Sequence, residues 1–281
     1  MGAAERRGGA PGFETGVAVV DGQPLHYAAR PGPATRPPLL MINGIGANLE
    51  LALPFLTQLR ETGWIIFDAP GVGGSPLPAF PYQPAAMARW GKGLAERLGN
   101  RVVDLLGFSW GGIIAQTYAH LYPAACRRLV LAATTPGWPS FPARPAALSR
   151  LAQLHRHTDP RFLAEAGADL YGGDVRGAED VERHAAALKP QSQEGYALQL
   201  LCLAGWTSLP WLWSLRQLTL IMAGTEDPLV PAANARLLHS MIPQSRLRLV
   251  RNGHLFLTTR PQESAAAIEA FLSAADPMEE A

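Results

Sequence analysis

The sequence predicts an α/β fold, in which a mainly parallel sheet carries helices on both faces and a helical cap is inserted. Short apolar runs alternate with amphipathic stretches along most of the 281 residues. Strands that alternate with helices are typical of a parallel sheet covered on both faces. The alternation stops between residues 136 and 215 and then resumes, which indicates an insertion. We therefore predict a flexible N-terminal segment at 1–15, a core at 16–135 and 216–276, and a helical cap at 136–215.

The individual elements follow from the spacing of the apolar residues. Asp21-Gly22 separates the apolar runs 17–20 and 25–29, and this dipeptide predicts a β-hairpin. Buried strands are predicted at 38–43, 64–68, 102–106, 129–133, 218–223 and 246–250. Amphipathic helices are predicted at about 50–60, 84–98, 111–121, 232–241 and 261–274.

Composition excludes several classes of function. The net charge is +1 and no basic or acidic block stands out, which argues against nucleic acid as a main partner. The two cysteines, Cys126 and Cys202, are far apart and are predicted to be reduced and buried. No spacing of Cys and His suggests zinc, and we expect neither a metal nor an organic cofactor.

Nothing in the sequence predicts export or a membrane span. Arg6-Arg7 would fit a twin-arginine signal, but the following residues form no apolar region, so this interpretation is rejected. No apolar stretch reaches the roughly 18 residues that a transmembrane helix needs. The expected location is therefore the cytoplasm.

The stretch from Gly107 to Gly111 fits the motif G-x-S-x-G, with Ser109 at its centre. In this motif a strand turns sharply into a helix, and the serine on the turn is a nucleophile. An apolar strand-like run precedes the motif and a helix-like run follows it, so the context agrees. The alternative is a serine that only caps the helix N-terminus.

A serine nucleophile needs a histidine base and a carboxylate that orients it, in the chain order Ser, Asp or Glu, His. Asp227 and His254 each follow a predicted strand, in this order. Asp227 is favoured because Pro228 fixes a turn directly after it, and Glu226 is the alternative. Backbone N–H groups of Ile45 and Trp110 are predicted to form the oxyanion hole, because such donors follow the first parallel strand and the nucleophile.

Two glycine-rich strings, NGIG at 43–46 and GVGG at 71–74, would also suit a phosphate cradle. Neither has the lysine of a P-loop or the full spacing of a dinucleotide site, so that interpretation is set aside.

With these residues identified, the chain resembles the α/β-hydrolase superfamily, and within it the intracellular poly(3-hydroxyalkanoate) depolymerases that act on medium-chain-length polyesters. The resemblance covers roughly residues 38 to 275, and little of it falls at 138–165. The matching strings include NGIGANLEL at 43–51, FDAPGVGGS at 67–75, SWGG at 109–112, YGG at 171–173, GWTS at 205–208, DPLVP at 227–231 and GHLFLTTR at 253–260.

The resemblance implies Ser109 as nucleophile, Asp227 as acid and His254 as base, and it implies ester hydrolysis on stored polyester granules inside the cell. We expect an acyl-enzyme mechanism that releases 3-hydroxyalkanoic acids or oligomers. A general carboxylesterase or lipase for small esters is the nearest alternative, because only the cap would differ. A non-catalytic granule-binding protein is less favoured, because the three residues are intact.

The predicted cap contains four of the seven tryptophans, Trp138, Trp206, Trp211 and Trp213. Aromatic side chains of this kind would line a groove for an apolar polymer or contact a granule surface. The alternative is that they pack the cap against the sheet.

Overall fold

A computed structural model of the chain describes residues 5–7, 12–151, 167, 169–174 and 192–275. The strands are β1 Glu5–Arg7, β2 Glu14–Val20, β3 Gln23–Arg30, β4 Leu39–Ile42, β5 Trp64–Phe67, β6 Val103–Phe108, β7 Cys126–Ala132, β8 Leu218–Gly224 and β9 Ser245–Val250. The helices are α1 Leu53–Leu56, α2 Pro84–Arg97, α3 Trp110–Leu121, α4 Pro145–Leu151, α5 Gln193–Cys202, α6 Ala232–Met241, α7 Phe256–Thr259 and α8 Pro261–Ser273.

The strands of the described residues form one nine-stranded sheet in the order β1-β2-β3-β5-β4-β6-β7-β8-β9. Every pairing from β5 to β9 in this order is parallel, whereas β1, β2 and β3 join antiparallel. The predicted hairpin is confirmed, since Val20 pairs with Gln23 across the turn. Asp21 and Gly22 both have positive φ, as a two-residue turn between twisted strands requires.

The sheet separates two hydrophobic cores, one on each face. Alternate residues of β4 serve the two sides: Leu40 and Ile42 face one core, and Leu39 and Met41 face the other. Side chains of α2, α3 and α6 fill the first core, and side chains of α1 and α8 fill the second. The predicted fold class, a mainly parallel sheet with helices on both faces, is therefore confirmed.

The predicted strands and helices of the core are found, with ends that shift by a few residues. The largest difference lies at 50–60, where one helix was expected. The structure instead has a 3-10 turn at Leu49–Ala52 followed by the short helix α1. Pro54 explains the break, because it has no N–H to donate to the carbonyl four residues earlier.

Between β7 and β8 the structure describes α4, α5 and a 3-10 turn at Leu212–Ser214. Residues 152–166, 168 and 175–191 of the predicted cap lie outside the described residues, so a cap spanning 136–215 stays a prediction. The described segment 169–174 packs on the loops after β8 and β9. A Cβ at Gly173 would come within 2.0 Å of the Gly253 nitrogen, so the two backbones are in close contact.

Two strands extend into the N-terminal segment 1–15 that the sequence predicts to be flexible. β1 pairs with β2 through residues 5–7, and β2 itself begins at Glu14. Residues 1–4 and 8–11 of that segment lie outside the described residues. Over the described ranges, no helix is both long and apolar enough to cross a membrane.

Candidate active site

Ser109 lies on the turn between β6 and α3, at the carboxyl edge of the parallel sheet. Its backbone has φ of 53° and ψ of −118°, a combination that non-glycine residues rarely adopt. Neighbouring groups fix the turn: the Ser109 N–H donates to the Ala132 carbonyl at 2.8 Å, and the Ser109 carbonyl accepts from the Thr134 hydroxyl at 2.8 Å. Strained backbone of this kind is characteristic of a nucleophile held clear of its strand.

The three glycines around Ser109 are required by close packing of the turn. A Cβ on Gly107 would lie 2.5 Å from the Gly111 carbonyl oxygen, and one on Gly111 would lie 2.0 Å from the Ile42 carbonyl oxygen. A Cβ on Gly112 would meet the Thr134 side chain at 2.4 Å. The strand and the helix therefore close on each other only because these positions carry no side chain.

Asp227, His254 and Ser109 form one chain of hydrogen bonds. The His254 Nδ1 lies 2.7 Å from the Asp227 Oδ2, and the His254 Nε2 lies 3.0 Å from the Ser109 Oγ. Asp227 and His254 are buried, so their contact is shielded from water. The three residues are thus brought together in the order that a hydroxyl nucleophile, a base and an orienting carboxylate need.

The loops after β8 and β9 fix the positions of Asp227 and His254. The second oxygen of Asp227, Oδ1, accepts from the N–H groups of Leu229 and Val230 at 2.9 and 2.8 Å. The His254 N–H donates to the Tyr171 carbonyl at 2.6 Å. The carboxyl group that contacts the imidazole is that of Asp227. The main-chain N–H of Glu226, the alternative acid, donates to the Asn252 carbonyl.

Two aromatic rings flank the His254 imidazole, Phe108 at 5.4 Å and Tyr171 at 6.4 Å between centroids. Burial raises the pKa of Tyr171 to about 12, so this phenol is neutral at physiological pH. The imidazole therefore contacts the Asp227 carboxyl group and has the rings of Phe108 and Tyr171 beside it.

The predicted oxyanion-hole donors belong to the loop after β4 and to the start of α3, and both segments adjoin Ser109. A Cβ on Gly44 would be 3.5 Å from the Ser109 Cβ, so the loop after β4 abuts the nucleophile. In this loop the Gly44, Gly46 and Ala47 N–H groups donate to the Asn43 side chain, the Gln199 side chain and the Gly44 carbonyl. Within the described part of the chain, the Ile45 N–H makes no hydrogen bond. The Trp110 N–H begins α3 and has no partner inside its helix.

Tyr171 and Gln199 are among the residues around this site that were not predicted from the sequence. Tyr171 belongs to the string YGG, which is one of the strings that carry the family resemblance but was assigned no role. Gln199 carries a weaker signal, since it is a polar residue among the apolar ones of α5. It is fully buried and accepts the Gly46 N–H at 2.9 Å.

The other described histidines have different partners. His26 contacts Asp68, His120 stacks on Trp211 at 4.3 Å between centroids, and His239 contacts Ser245. His155, His157 and His184 lie outside the described residues. In the ranges that the structure describes, no group of three or more His, Cys, Asp or Glu side chains could bind a metal ion.

The four tryptophans of the predicted cap separate into two pairs. Trp138 and Trp213 are 77% and 62% exposed, whereas Trp211 packs against the first core and meets Trp206 edge to face. The Trp206 indole also donates to the Thr117 hydroxyl of α3 at 3.1 Å. Packing therefore accounts for Trp206 and Trp211 but not for Trp138 and Trp213.

The mainly parallel sheet, the strained serine turn and the hydrogen-bonded acid and base are typical of hydrolases with an α/β fold. Sequence comparison agrees with this class of protein. The chain belongs to the alpha/beta hydrolase family, whose profile matches residues 39–267. The chain is 41% identical to a poly(3-hydroxyalkanoate) depolymerase of Ectopseudomonas oleovorans over 255 residues, which cover 90% of each protein. It is 27% identical to 3-oxoadipate enol-lactonase 2 of Acinetobacter baylyi, over 88% of this chain and 92% of that one.

Solved structures give the same result. A hydrolase from Pseudomonas aeruginosa PA01 superposes with a TM-score of 0.79 at 28% identity, and the match covers 92% of this chain and 98% of that one. The resemblance to the α/β-hydrolase superfamily that the sequence motifs predict is therefore confirmed.

Proposed function

We propose that this chain hydrolyses the ester bonds of poly(3-hydroxyalkanoate) through an acyl-enzyme on Ser109. The observation that carries the proposal is the hydrogen-bonded chain from Asp227 through His254 to the hydroxyl on the strained turn. The similarity to the depolymerase of Ectopseudomonas oleovorans supports a polyester as the substrate.

In the first half of the reaction, His254 removes the Ser109 proton as the Oγ attacks the ester carbonyl. Asp227 orients the ring and stabilises the imidazolium that forms. The Ile45 and Trp110 N–H groups donate to the carbonyl oxygen as it becomes negative, and one such donor typically contributes about 3–4 kcal/mol to the stability of the transition state. His254 then protonates the departing alkoxide, which leaves as the shortened polymer or as an alcohol.

In the second half, water takes the place of the alcohol. His254 removes a proton from this water, which attacks the acyl-enzyme carbonyl. Collapse of the tetrahedral intermediate breaks the bond to Oγ, and His254 returns the proton to Ser109. The products are 3-hydroxyalkanoic acids or short oligomers, and every proton is carried by residues of this chain.

The substrate is expected to be a polyester granule inside the cell, and the exposed Trp138 and Trp213 are the proposed contacts. Together they present two large apolar rings to the surroundings, although most tryptophans are largely buried. Exposed apolar patches often mark such contacts with another phase or partner.

A general esterase for small esters is the second candidate. The similarity to an enol-lactonase favours it, because that relative is named for a small cyclic ester. The same three residues would perform the chemistry, and the substrate would differ only through the cap.

The test is the loss of turbidity of two polyester suspensions, poly(3-hydroxyoctanoate) and poly(3-hydroxybutyrate), with the wild-type protein and with Ser109→Ala. We expect the octanoate suspension to clear with the wild type and to stay turbid with the variant. Clearing of the butyrate suspension alone would keep the mechanism and change the chain length. If neither clears while a p-nitrophenyl ester is cleaved, the general esterase replaces the depolymerase. A folded protein that does neither would favour a non-catalytic granule-binding role.

A further inference from the structure

Helix α5 of the predicted cap packs directly on the loops after β4 and β5. Its N-terminal turn touches the loop after β5: a Cβ on Gly195 would lie 2.2 Å from the Gly71 carbonyl oxygen. Gly71 has φ of +86°, so both sides of this contact depend on glycine. The Ser192 hydroxyl caps α5 by accepting the Gly195 N–H at 2.9 Å. The start of α5 is therefore fixed against the sheet domain.

One turn further along α5, Gln199 contacts both parts of the predicted oxyanion hole. Its Oε1 accepts the Gly46 N–H at 2.9 Å, next to Ile45 in the loop after β4. Its main-chain carbonyl accepts the indole N–H of Trp110 at 3.0 Å. These two segments carry the N–H groups of Ile45 and Trp110, and Gln199 bridges the segments through these two hydrogen bonds.

The orientation of the Gln199 amide follows from its partners. Gly46 offers a donor, so the amide oxygen must face it, because a flipped amide would set two donors against each other. Gln199 is fully buried, and its Nε2 has no hydrogen-bond partner among the described residues. A buried donor without a partner is destabilising, so packing alone would favour an apolar residue here.

We propose that Gln199 is a positioning residue that aligns the oxyanion hole and couples it to the docking of α5. By accepting the Gly46 N–H, the side chain fixes the peptide that follows Ile45 and so sets the direction of the Ile45 N–H. By accepting the indole N–H, its main chain holds the Trp110 ring at the start of α3. This inference rests on the proposed function, because it assigns those N–H groups to an oxyanion.

The test uses Gln199→Met, which retains length and apolar volume but cannot accept the Gly46 N–H. Gln193→Met is the matched control, because Gln193 is exposed on the same helix. With a soluble p-nitrophenyl ester we expect Gln199→Met to lower kcat about 10-fold to 100-fold. That is less than the loss of about 10²–10³-fold from deleting a donor outright. KM should change less than about twofold, since the ester carbonyl gains its charge only in the transition state.

A pair of inhibitors separates alignment of the hole from general damage. An alkyl trifluoromethyl ketone adds the serine and forms an oxyanion, whereas the matching alkyl methyl ketone stays largely planar. We expect Gln199→Met to weaken binding of the trifluoromethyl ketone by the same factor by which it lowers kcat. Binding of the methyl ketone should stay unchanged. Equal weakening of both ketones, or neither, would overturn the proposal.

Trp110→Phe provides a second variant, which keeps the backbone N–H of residue 110 and removes the indole donor to Gln199 together with part of the buried ring. It should likewise weaken binding of the trifluoromethyl ketone and leave binding of the methyl ketone unchanged, and it keeps the test valid if Gln199→Met does not fold. An inactive wild-type protein would reject the proposed function. An active wild type with unchanged Gln199→Met and Trp110→Phe would reject this inference alone.

Discussion

The described part of the chain contains two His–Asp pairs of nearly the same geometry, and only one of them contacts the proposed nucleophile, Ser109. The His254 Nδ1 is 2.7 Å from the Asp227 Oδ2, and the His26 Nδ1 is 2.8 Å from the Asp68 Oδ2. In both pairs the aspartate side chain is fully buried. The contact between acid and imidazole therefore does not distinguish them.

The difference lies in how a nearby serine is used. The Ser109 hydroxyl meets the Nε2 of His254 at 3.0 Å. The Ser75 hydroxyl instead accepts the main-chain N–H of His26 at 2.9 Å and donates its own proton to the Asp68 carbonyl at 2.8 Å. The Ser75 proton thus points to a main-chain carbonyl and not to the imidazole of His26, which could act as a base. We therefore interpret Ser75 as a structural residue.

The two aspartates also differ in the N–H groups that their carboxylate oxygens accept. Asp227 Oδ1 accepts two N–H groups of its own loop. Asp68 instead joins separate segments, with Oδ1 accepting the Leu49 N–H at 2.7 Å and Oδ2 accepting the Gly74 N–H at 2.8 Å. One pair thus serves a hydroxyl, while the other ties together the loops after β4 and β5.

The largest difference in kcat is expected when the same substitution is made in both His–Asp pairs. Asp227→Asn should lower kcat by about 10⁴-fold, because the amide favours the wrong imidazole tautomer. Asp68→Asn should leave kcat of the folded protein within about tenfold. It should cost about 1–3 kcal/mol of unfolding free energy, because an NH₂ group would face one of the N–H donors. Ester kinetics and thermal melting of both variants make the measurement, and loss of kcat in both would contradict the distinction.

The two serines should separate in the same manner. Ser75→Ala removes the hydroxyl that pairs with the part-buried N–H of His26 and the buried carbonyl of Asp68, so it should lower the unfolding free energy by about 1–3 kcal/mol. Its esterase kcat at 25 °C should stay within about twofold of the wild type. Denaturant titration and initial rates on the same samples are sufficient, and a drop in kcat beyond tenfold at full folding would assign Ser75 a role in the reaction.

The smallest expected effect concerns the backbone of Ser109, which has φ of 53°. Ser109→Gly should be more stable than Ser109→Ala by about 1 kcal/mol, because glycine adopts positive φ without strain. Ala197→Gly on the exposed face of α5 is the control, and it should be destabilising by about 1 kcal/mol. Equal unfolding free energies for the two Ser109 variants would show that the turn carries no strain.

Much of the fold could be predicted because it depends on local patterns. Apolar runs and amphipathic periods located the core strands and helices, since each reflects burial of one element against the sheet. The turn at Ser109 was predicted for a similar reason: three neighbouring glycines report a close backbone contact that no other residue allows. Chain order then singled out Asp227 and His254, and the structure brings both to Ser109.

The features that could not be predicted depend on contacts between segments that are distant in sequence, and such contacts leave no local pattern. The bond from Gly46 to Gln199 spans 153 residues, and a lone glutamine in a helix does not reveal its partner. The pair of His26 and Asp68 was likewise not anticipated, because the string FDAPGVGGS indicates a resemblance without indicating which N–H groups its carboxylate accepts.

The assignment of Ser109 as the nucleophile is tested most directly by the mass of the intact protein after reaction with a fluorophosphonate, followed by peptide mapping. We expect one adduct per chain, on the peptide that contains Ser109, for the wild type and for Ser75→Ala. Ser109→Ala should gain no adduct, and Asp227→Asn should react far more slowly. A folded wild-type protein that gains no adduct, or that carries it on another residue, would contradict the assignment of Ser109 as the nucleophile.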